Sequence, residues 1–81
     1  MRVRIRLFAS LREAVGKDQI ELDLPEGATA EDAWNGLVAE CPAVGPRRRS
    51  LYAAVNRRYL PFDARLAAGD EVVFIPPVSG G

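Results

Sequence analysis

The chain has 81 residues, 48% hydrophobic and 27% charged, which indicates one small folded domain rather than a disordered or membrane-embedded segment. One cysteine and no histidine exclude an internal disulfide, a Cys/His zinc site and ready-made acid–base catalysis near neutral pH. Eleven basic residues balance eleven acidic ones, and no apolar run indicates a signal peptide or membrane span, so we expect a cytoplasmic protein that binds neither nucleic acid nor membrane.

Two segments near the N-terminus alternate polar and apolar residues, which is typical of strands with one buried face. They are residues 2–7 and 19–24. If the two strands pair antiparallel, the arginines of the first can meet carboxylates of the second, such as Asp23. Between them, residues 10–15 predict a short helix that Gly16 ends in a left-handed conformation.

A longer helix is predicted after the turn at residues 25–27. Thr29 is a suitable N-cap, and acidic residues follow it in the first turn, where the helix dipole favours them. Apolar residues at helical spacing then form one stripe, which consists of Ala30, Ala33, Trp34, Leu37, Val38 and Cys41. Gly36 is predicted to lie off this stripe, and Pro42 ends the helix.

The second half of the chain predicts a loop and three further strands. Residues 42–50 indicate a loop by composition, and residues 51–55 a third strand. A short edge strand follows around Tyr59, because the nearby proline excludes a central position. After the turn at residues 69–70, residues 71–75 predict a last strand whose four consecutive apolar residues indicate a central position, covered on both faces.

The order of the elements is strand, short helix, strand, long helix, strand, small strand, strand. It predicts an α+β fold in which a mixed sheet of four to five strands folds around one long helix, with the first and last strands adjacent and parallel at its centre. This arrangement is the ubiquitin-like β-grasp. Residues 1–75 would form the domain, and residues 76–81 an extended tail.

The tail begins with two prolines and ends with two glycines. It consists of Pro76, Pro77, Val78, Ser79, Gly80 and Gly81. Prolines lack an N–H group and favour an extended chain, so six residues reach about 20 Å from the fold. Gly80 and Gly81 carry no side chain, which lets the tip pass through a narrow channel. We therefore expect the carboxylate of Gly81 to be the functional group, activated by adenylation with ATP. The alternative is a frayed terminus without function.

Four stretches of the sequence share a pattern with one protein family. They are residues 8–13, 54–56, 69–72 and 76–81, the last of which reads Pro-Pro-Val-Ser-Gly-Gly. Together they resemble the MoaD family, the small subunits of molybdopterin synthase, and the resemblance spans the whole chain. It implies that an E1-like, MoeB-like enzyme uses ATP to adenylate Gly81, which is then converted to a thiocarboxylate.

The resemblance also implies a partner and an acceptor for the sulfur. A MoaE-like large subunit would take up the tail, with Gly80 permitting its threading, and the sulfur would pass to cyclic pyranopterin monophosphate. The assembly would be a heterotetramer of two small and two large subunits. The catalytic side chains would belong to the partner, with no cofactor bound to this chain and no independent enzymatic activity.

Three side chains match positions that contact the large subunit in the MoaD family: Arg12, Tyr59 and Ile75. Strand alternation places Ile75 on the sheet face that the long helix leaves uncovered, beside the tail. The alternative for Tyr59 and Ile75 is an ordinary place in the core. For Arg12 it is a solvated position on a helix.

Two further features have a structural and a functional interpretation. Cys41 lies on the apolar stripe with no histidine to activate it, so we interpret it as a small buried hydrophobe rather than a nucleophile. The run Arg47, Arg48 and Arg49 is typical of a solvated loop. If the run has a function, it would steer association with an acidic partner.

A sulfur carrier for molybdopterin synthesis is the leading hypothesis, and two other classes remain open. Carriers for thiazole, cysteine or tRNA thiolation use the same ending, so the acceptor is not fixed by the tail. A ubiquitin-like protein modifier would need activation of the same carboxylate. A pure interaction module would insert the tail as a peptide ligand, with no activation at all.

Overall fold

The computed structural model describes residues 1–76, so Pro77, Val78, Ser79, Gly80 and Gly81 of the predicted tail lie outside the described residues. Within residues 1–76 the elements are β1 (Arg2–Arg6), α1 (Ala9–Val15), β2 (Gln19–Asp23), α2 (Ala30–Glu40), a 3₁₀ helix (Pro42–Ser50), β3 (Tyr52–Val55), β4 (Arg58–Leu60) and β5 (Glu71–Ile75). The described strands form one sheet in the order β2-β1-β5-β3-β4.

The sheet is mixed, as the sequence predicts. Strands β1 and β5 run parallel at its centre, with Arg4 opposite Glu71, and the other neighbouring strands pair antiparallel. The short strand β4 lies at one edge, and Pro61 directly follows it. The α+β, ubiquitin-like β-grasp fold is therefore confirmed.

One face of the sheet and the apolar stripe of α2 form the core. The rings of Trp34 and Phe74 meet edge to face, with centroids 5.1 Å apart. The alternation predicted for β1 is observed, because Val3 and Ile5 are buried while the arginines between them are exposed. The largest side chains with almost no exposure are Trp34, Phe74, Ile5, Leu11, Leu37, Val3, Val44 and Val72.

One predicted end of each α-helix is observed: the start of α2 at Thr29 and the end of α1 at Gly16. Thr29 is the N-cap of α2: its hydroxyl accepts a hydrogen bond from the Asp32 N–H, and the Asp32 carboxylate accepts one from the Thr29 N–H at 2.8 Å. This reciprocal pair is a capping box, which satisfies two N–H groups that the helix leaves free. Gly16 ends α1 with a φ of 83°, a left-handed conformation that glycine adopts without a steric penalty.

The prediction of a loop for residues 42–50 is wrong, because this segment forms the 3₁₀ helix. Pro42 stands at its start, where the missing N–H costs nothing, and Val44 is completely buried. Near the C-terminal end of the 3₁₀ helix, Arg48 donates hydrogen bonds to both carboxylate oxygens of Glu31 on α2, and its Nη2 is 2.6 Å from Oε1. Composition alone did not indicate these tertiary contacts.

One detail is added to the predicted burial and another is corrected. Gly36 is half-buried off the apolar stripe, and a Cβ built there would be 2.7 Å from Cδ1 of Leu22 on β2. The central strand β5 is fully covered on one face only: Val72 and Phe74 are buried, whereas Val73 and Ile75 on the opposite face are half-buried. The single long helix covers one face of the sheet and leaves the other open.

Candidate functional site

The tail leaves the domain from the central strand of the sheet. Strand β5 ends at Ile75, and Pro76, the last described residue, is exposed. Hydrogen bonds to β1 on one side and β3 on the other hold β5 along its length. The base of the tail therefore follows a strand that has a neighbour on each side, with β3 as the partner at Ile75.

An apolar patch lies on the open face of the sheet, beside the base of the tail. We define the sheet patch as Tyr52, Ala54, Tyr59, Val73 and Ile75. Register brings its members together, since Tyr52 is opposite Ile75 and Ala54 is opposite both Tyr59 and Val73. The two tyrosine side chains are exposed, 57% and 71%, and their rings meet edge to face at 6.4 Å. Aromatic side chains in such a setting are typical of protein interfaces.

The other half of the open face is charged but internally paired. Glu71 on β5 lies between two arginines of β1, with its Oε2 3.4 Å from Nη2 of Arg4 and 3.9 Å from Nη1 of Arg6. At the far edge Arg2 donates to both carboxylate oxygens of Asp23, and this hydrogen bonding lowers the pKa of the Asp23 carboxyl. The predicted pairing of β1 arginines with β2 is thus confirmed for Arg2, while Arg4 and Arg6 pair with β5.

The structure brings together two of the three predicted contact residues. Tyr59 and Ile75 both belong to the sheet patch, joined through Tyr52, so neither is an ordinary core residue. Arg12 lies apart from the patch on α1, where it is exposed and its Nη1 is 3.8 Å from Oδ1 of Asp18. That these residues contact a partner stays a prediction.

Sequence reasoning misses one member of the sheet patch and one exposed aromatic side chain outside it. The strand pattern predicts Tyr52 only as part of β3, although alternation with the buried Ala53 signals its outward direction. Phe8 is 49% exposed, and the sequence indicates it only as part of a motif. The Arg6 guanidinium lies over the Phe8 ring, 5.5 Å from the centroid, which is a cation–π contact.

The remaining candidates contribute no reactive centre. Cys41 is half-buried against the core, and its Sγ is 3.6 Å from the carbonyl oxygen of Ala14. Within residues 1–76 no group of His, Cys, Asp and Glu side chains is arranged to hold a metal ion. The helices found in that same part of the chain are too short and too polar to cross a membrane.

Comparisons with known proteins agree with this geometry. The family model described as the ThiS family matches residues 5–81, a span that includes the tail. The molybdopterin synthase sulfur carrier subunit of Escherichia coli is 39% identical, over 98% of this chain and 99% of its own length. The small archaeal modifier protein 1 of Haloferax volcanii is 38% identical, over 94% of this chain and 97% of its own length. The crystal structure of SAMP1 from Haloferax volcanii superposes with a TM-score of 0.87 at 31% identity, and each chain is covered completely.

Proposed function

Since this chain belongs to the ThiS family, we propose that it is a sulfur carrier that serves as the small subunit of molybdopterin synthase. The observation that carries the proposal is the near full-length similarity to molybdopterin synthase sulfur carrier subunits, together with a family match that includes Gly80 and Gly81. The sulfur would be carried on the carboxyl group of Gly81.

The chemistry of loading follows from the weak reactivity of a carboxylate. A carboxylate oxygen of Gly81 would attack the α-phosphorus of ATP, which releases pyrophosphate and leaves an acyl adenylate. Sulfide would then displace AMP, so that sulfur replaces one carboxylate oxygen. The chain has no histidine, so we assign the acid–base steps to an E1-like, MoeB-like activating enzyme.

The domain would act as a handle that presents the tail. Anchoring of β5 between β1 and β3 fixes the position of Pro76, and the sheet patch beside it offers an apolar docking surface. A MoaE-like large subunit would bind this patch, take up the tail, and provide the residues that transfer sulfur to cyclic pyranopterin monophosphate. Tyr59 and Ile75 would contact the large subunit directly, with Arg12 at the margin of the interface.

Reconstitution of pterin sulfuration tests this proposal. The chain would be combined with a MoeB-like enzyme, ATP, sulfide, a MoaE-like large subunit and cyclic pyranopterin monophosphate, and molybdopterin would be measured. We expect product only with all components, and none with a chain that lacks Gly81. A truncated chain that supports the same yield would contradict the proposal, and a chain that is loaded but yields no product would indicate a carrier with a different acceptor.

A protein modifier is the second candidate, favoured by the 38% identity to small archaeal modifier protein 1. A modifier would form isopeptide bonds between Gly81 and lysine side chains of other proteins. Expression of the tagged chain, followed by digestion and mass spectrometry, would then detect its C-terminal remnant on target lysines. Such adducts without any molybdopterin formation would replace the carrier proposal by the modifier.

A further inference from the structure

The three consecutive arginines of the 3₁₀ helix have three different environments. Arg48 makes two interactions: an ion pair with Glu31 and a cation–π contact with Phe62, in which its guanidinium carbon lies 3.4 Å from the ring centroid. Arg49 is exposed. Arg47 is half-buried, and its Nη1 is buried without a hydrogen-bond partner among residues 1–76. Of these three arginines, only Arg47 has a buried N–H group without an acceptor in the described part of the chain.

Arg47 lines a groove at the base of the tail. The groove has a volume of about 300 Å³ and is lined by Ser10, Leu11, Pro46, Arg47, Ser50, Leu51 and Pro76. Its walls are largely apolar, with two serine hydroxyls as further polar groups and no carboxylate among the described lining residues. Because Pro76 is one of its lining residues, the groove lies directly beside the point where the tail begins.

The half-buried guanidinium of Arg47 favours an anion as its partner. Its Nη1 is closed to incoming groups, so an acceptor in the groove would meet the part of the side chain that stays accessible, and a carboxylate is the acceptor whose planar geometry matches a guanidinium best. A carboxylate would also neutralise the charge and accept hydrogen bonds from the serine hydroxyls. The nearby carboxylate of Glu31 is already occupied by Arg48.

We propose that this groove receives an aspartate or glutamate side chain of the large subunit, which pairs with Arg47 when the tail is taken up. The inference rests on the proposed function, since it assumes that a large subunit encloses the tail. It adds a charged contact on the side of the 3₁₀ helix to the apolar contact expected at the sheet patch. The interface would then have contacts on two sides of the tail.

The test compares two substitutions in the same run of arginines. Arg47→Gln and Arg49→Gln each remove one positive charge, but only Arg47 lines the groove. Binding of the full chain to a purified MoaE-like large subunit would be followed by surface plasmon resonance at several salt concentrations. We expect Arg47→Gln to weaken binding by about thirtyfold, mainly through faster dissociation, because a desolvated pair is broken. Arg49→Gln should change only the association rate, and only at low salt.

Several outcomes separate this inference from the proposed function. If the wild-type chain does not bind the large subunit, the proposed function fails. If wild type binds and Arg47→Gln binds equally well, the inference is wrong and Arg47 makes no contact of consequence with the large subunit. Thermal unfolding checks that the variant is folded. If Arg47→Gln does not fold, Arg47→Lys is used instead. Lysine keeps the positive charge but lacks the planar guanidinium, so we expect Arg47→Lys to bind more weakly than wild type. Binding of Arg47→Lys with wild-type affinity would overturn the inference.

Discussion

The side-chain amide of Asn56 donates a 2.8 Å hydrogen bond to Oδ1 of Asp70, and its oxygen accepts one from the Glu71 N–H at 3.0 Å. Asn56 lies in the turn between β3 and β4, and Asp70 directly precedes β5. The contact therefore ties an edge hairpin to the first residue of the strand that ends at the tail. Both residues belong to stretches that resemble the MoaD family, and the structure gives those stretches a structural role.

Replacement of Asn56 should destabilise the domain in two separable ways. Asn56 has a φ of 50°, which asparagine and glycine tolerate better than alanine. Asn56→Gly removes the side-chain hydrogen bonds and should cost about 1–2 kcal/mol. Asn56→Ala should cost roughly 1 kcal/mol more, because it adds the strain of the left-handed conformation. Urea unfolding measures both, and equal midpoints for the three proteins would show that this network is not stabilising.

Trp34 should be one of the most sensitive positions of the core. It is 2% exposed and packs edge to face on Phe74, so Trp34→Ala would leave a large cavity. We expect a loss of about 3–5 kcal/mol in the free energy of unfolding. The adjacent Asn35 is exposed on α2, and Asn35→Ala should stay within about 0.5 kcal/mol of wild type. If the Trp34→Ala and Asn35→Ala proteins have the same melting temperature, the described packing of Trp34 is contradicted.

Periodicity was enough to predict the regular part of the fold. Alternation in β1 and helical spacing in α2 report which side chains meet the core, because each pattern has only one buried side. Thr29 and Gly16 were predicted correctly since capping chemistry is local and depends on one or two residues. The central position of β5 followed from its apolar run, although the second face is only half covered.

Features that depend on contacts distant in sequence were not predictable in the same way. The 3₁₀ helix is stabilised by burial of Val44 and by pairing of Arg48 with Glu31, 17 residues away. Likewise, the close approach of Gly36 to Leu22 depends on how α2 crosses β2. The sequence indicates a run of arginines but not that Arg47 and Arg48 are half-buried while Arg49 is exposed. For the candidate site, the sequence predicts Tyr59 and Ile75 but not the exposed Tyr52.

The ion pair between Arg2 and Asp23 should give a small pH dependence of stability. Hydrogen bonding to Arg2 lowers the pKa of the Asp23 carboxyl in the folded state. The ion pair therefore contributes fully to the stability of the folded state above the ordinary aspartate pKa of about 3.9. This contribution is lost as the pH falls through the lower pKa that Asp23 has in the folded state. Arg2→Gln and Asp23→Asn should each remove this part of the acid dependence, measured as the melting temperature against pH. If the melting temperature of both variants falls at low pH in the same way as that of the wild type, the pairing is contradicted.

Tyr59 should matter for binding but not for folding. Its side chain is 71% exposed on an edge strand, so Tyr59→Ser should change the melting temperature little. Loss of an aromatic side chain from the centre of an interface costs about 2 kcal/mol, so affinity for a MoaE-like large subunit should fall clearly. Asn35→Ala, on the helix that covers the opposite face of the sheet, is the matched control. Equal affinities for the Tyr59 and Asn35 variants would exclude the sheet patch from the interface.

The intact mass of the chain after activation tests the central claim most directly. The purified protein would be incubated with a MoeB-like enzyme, ATP and sulfide, and analysed by mass spectrometry beside a Gly81→Leu variant. We predict that the wild-type chain gains the mass difference between sulfur and oxygen, that the gain maps to its C-terminal residue, and that the variant folds equally well without the gain. A wild-type chain that keeps its original mass with an activating enzyme proven active on another carrier would contradict the account.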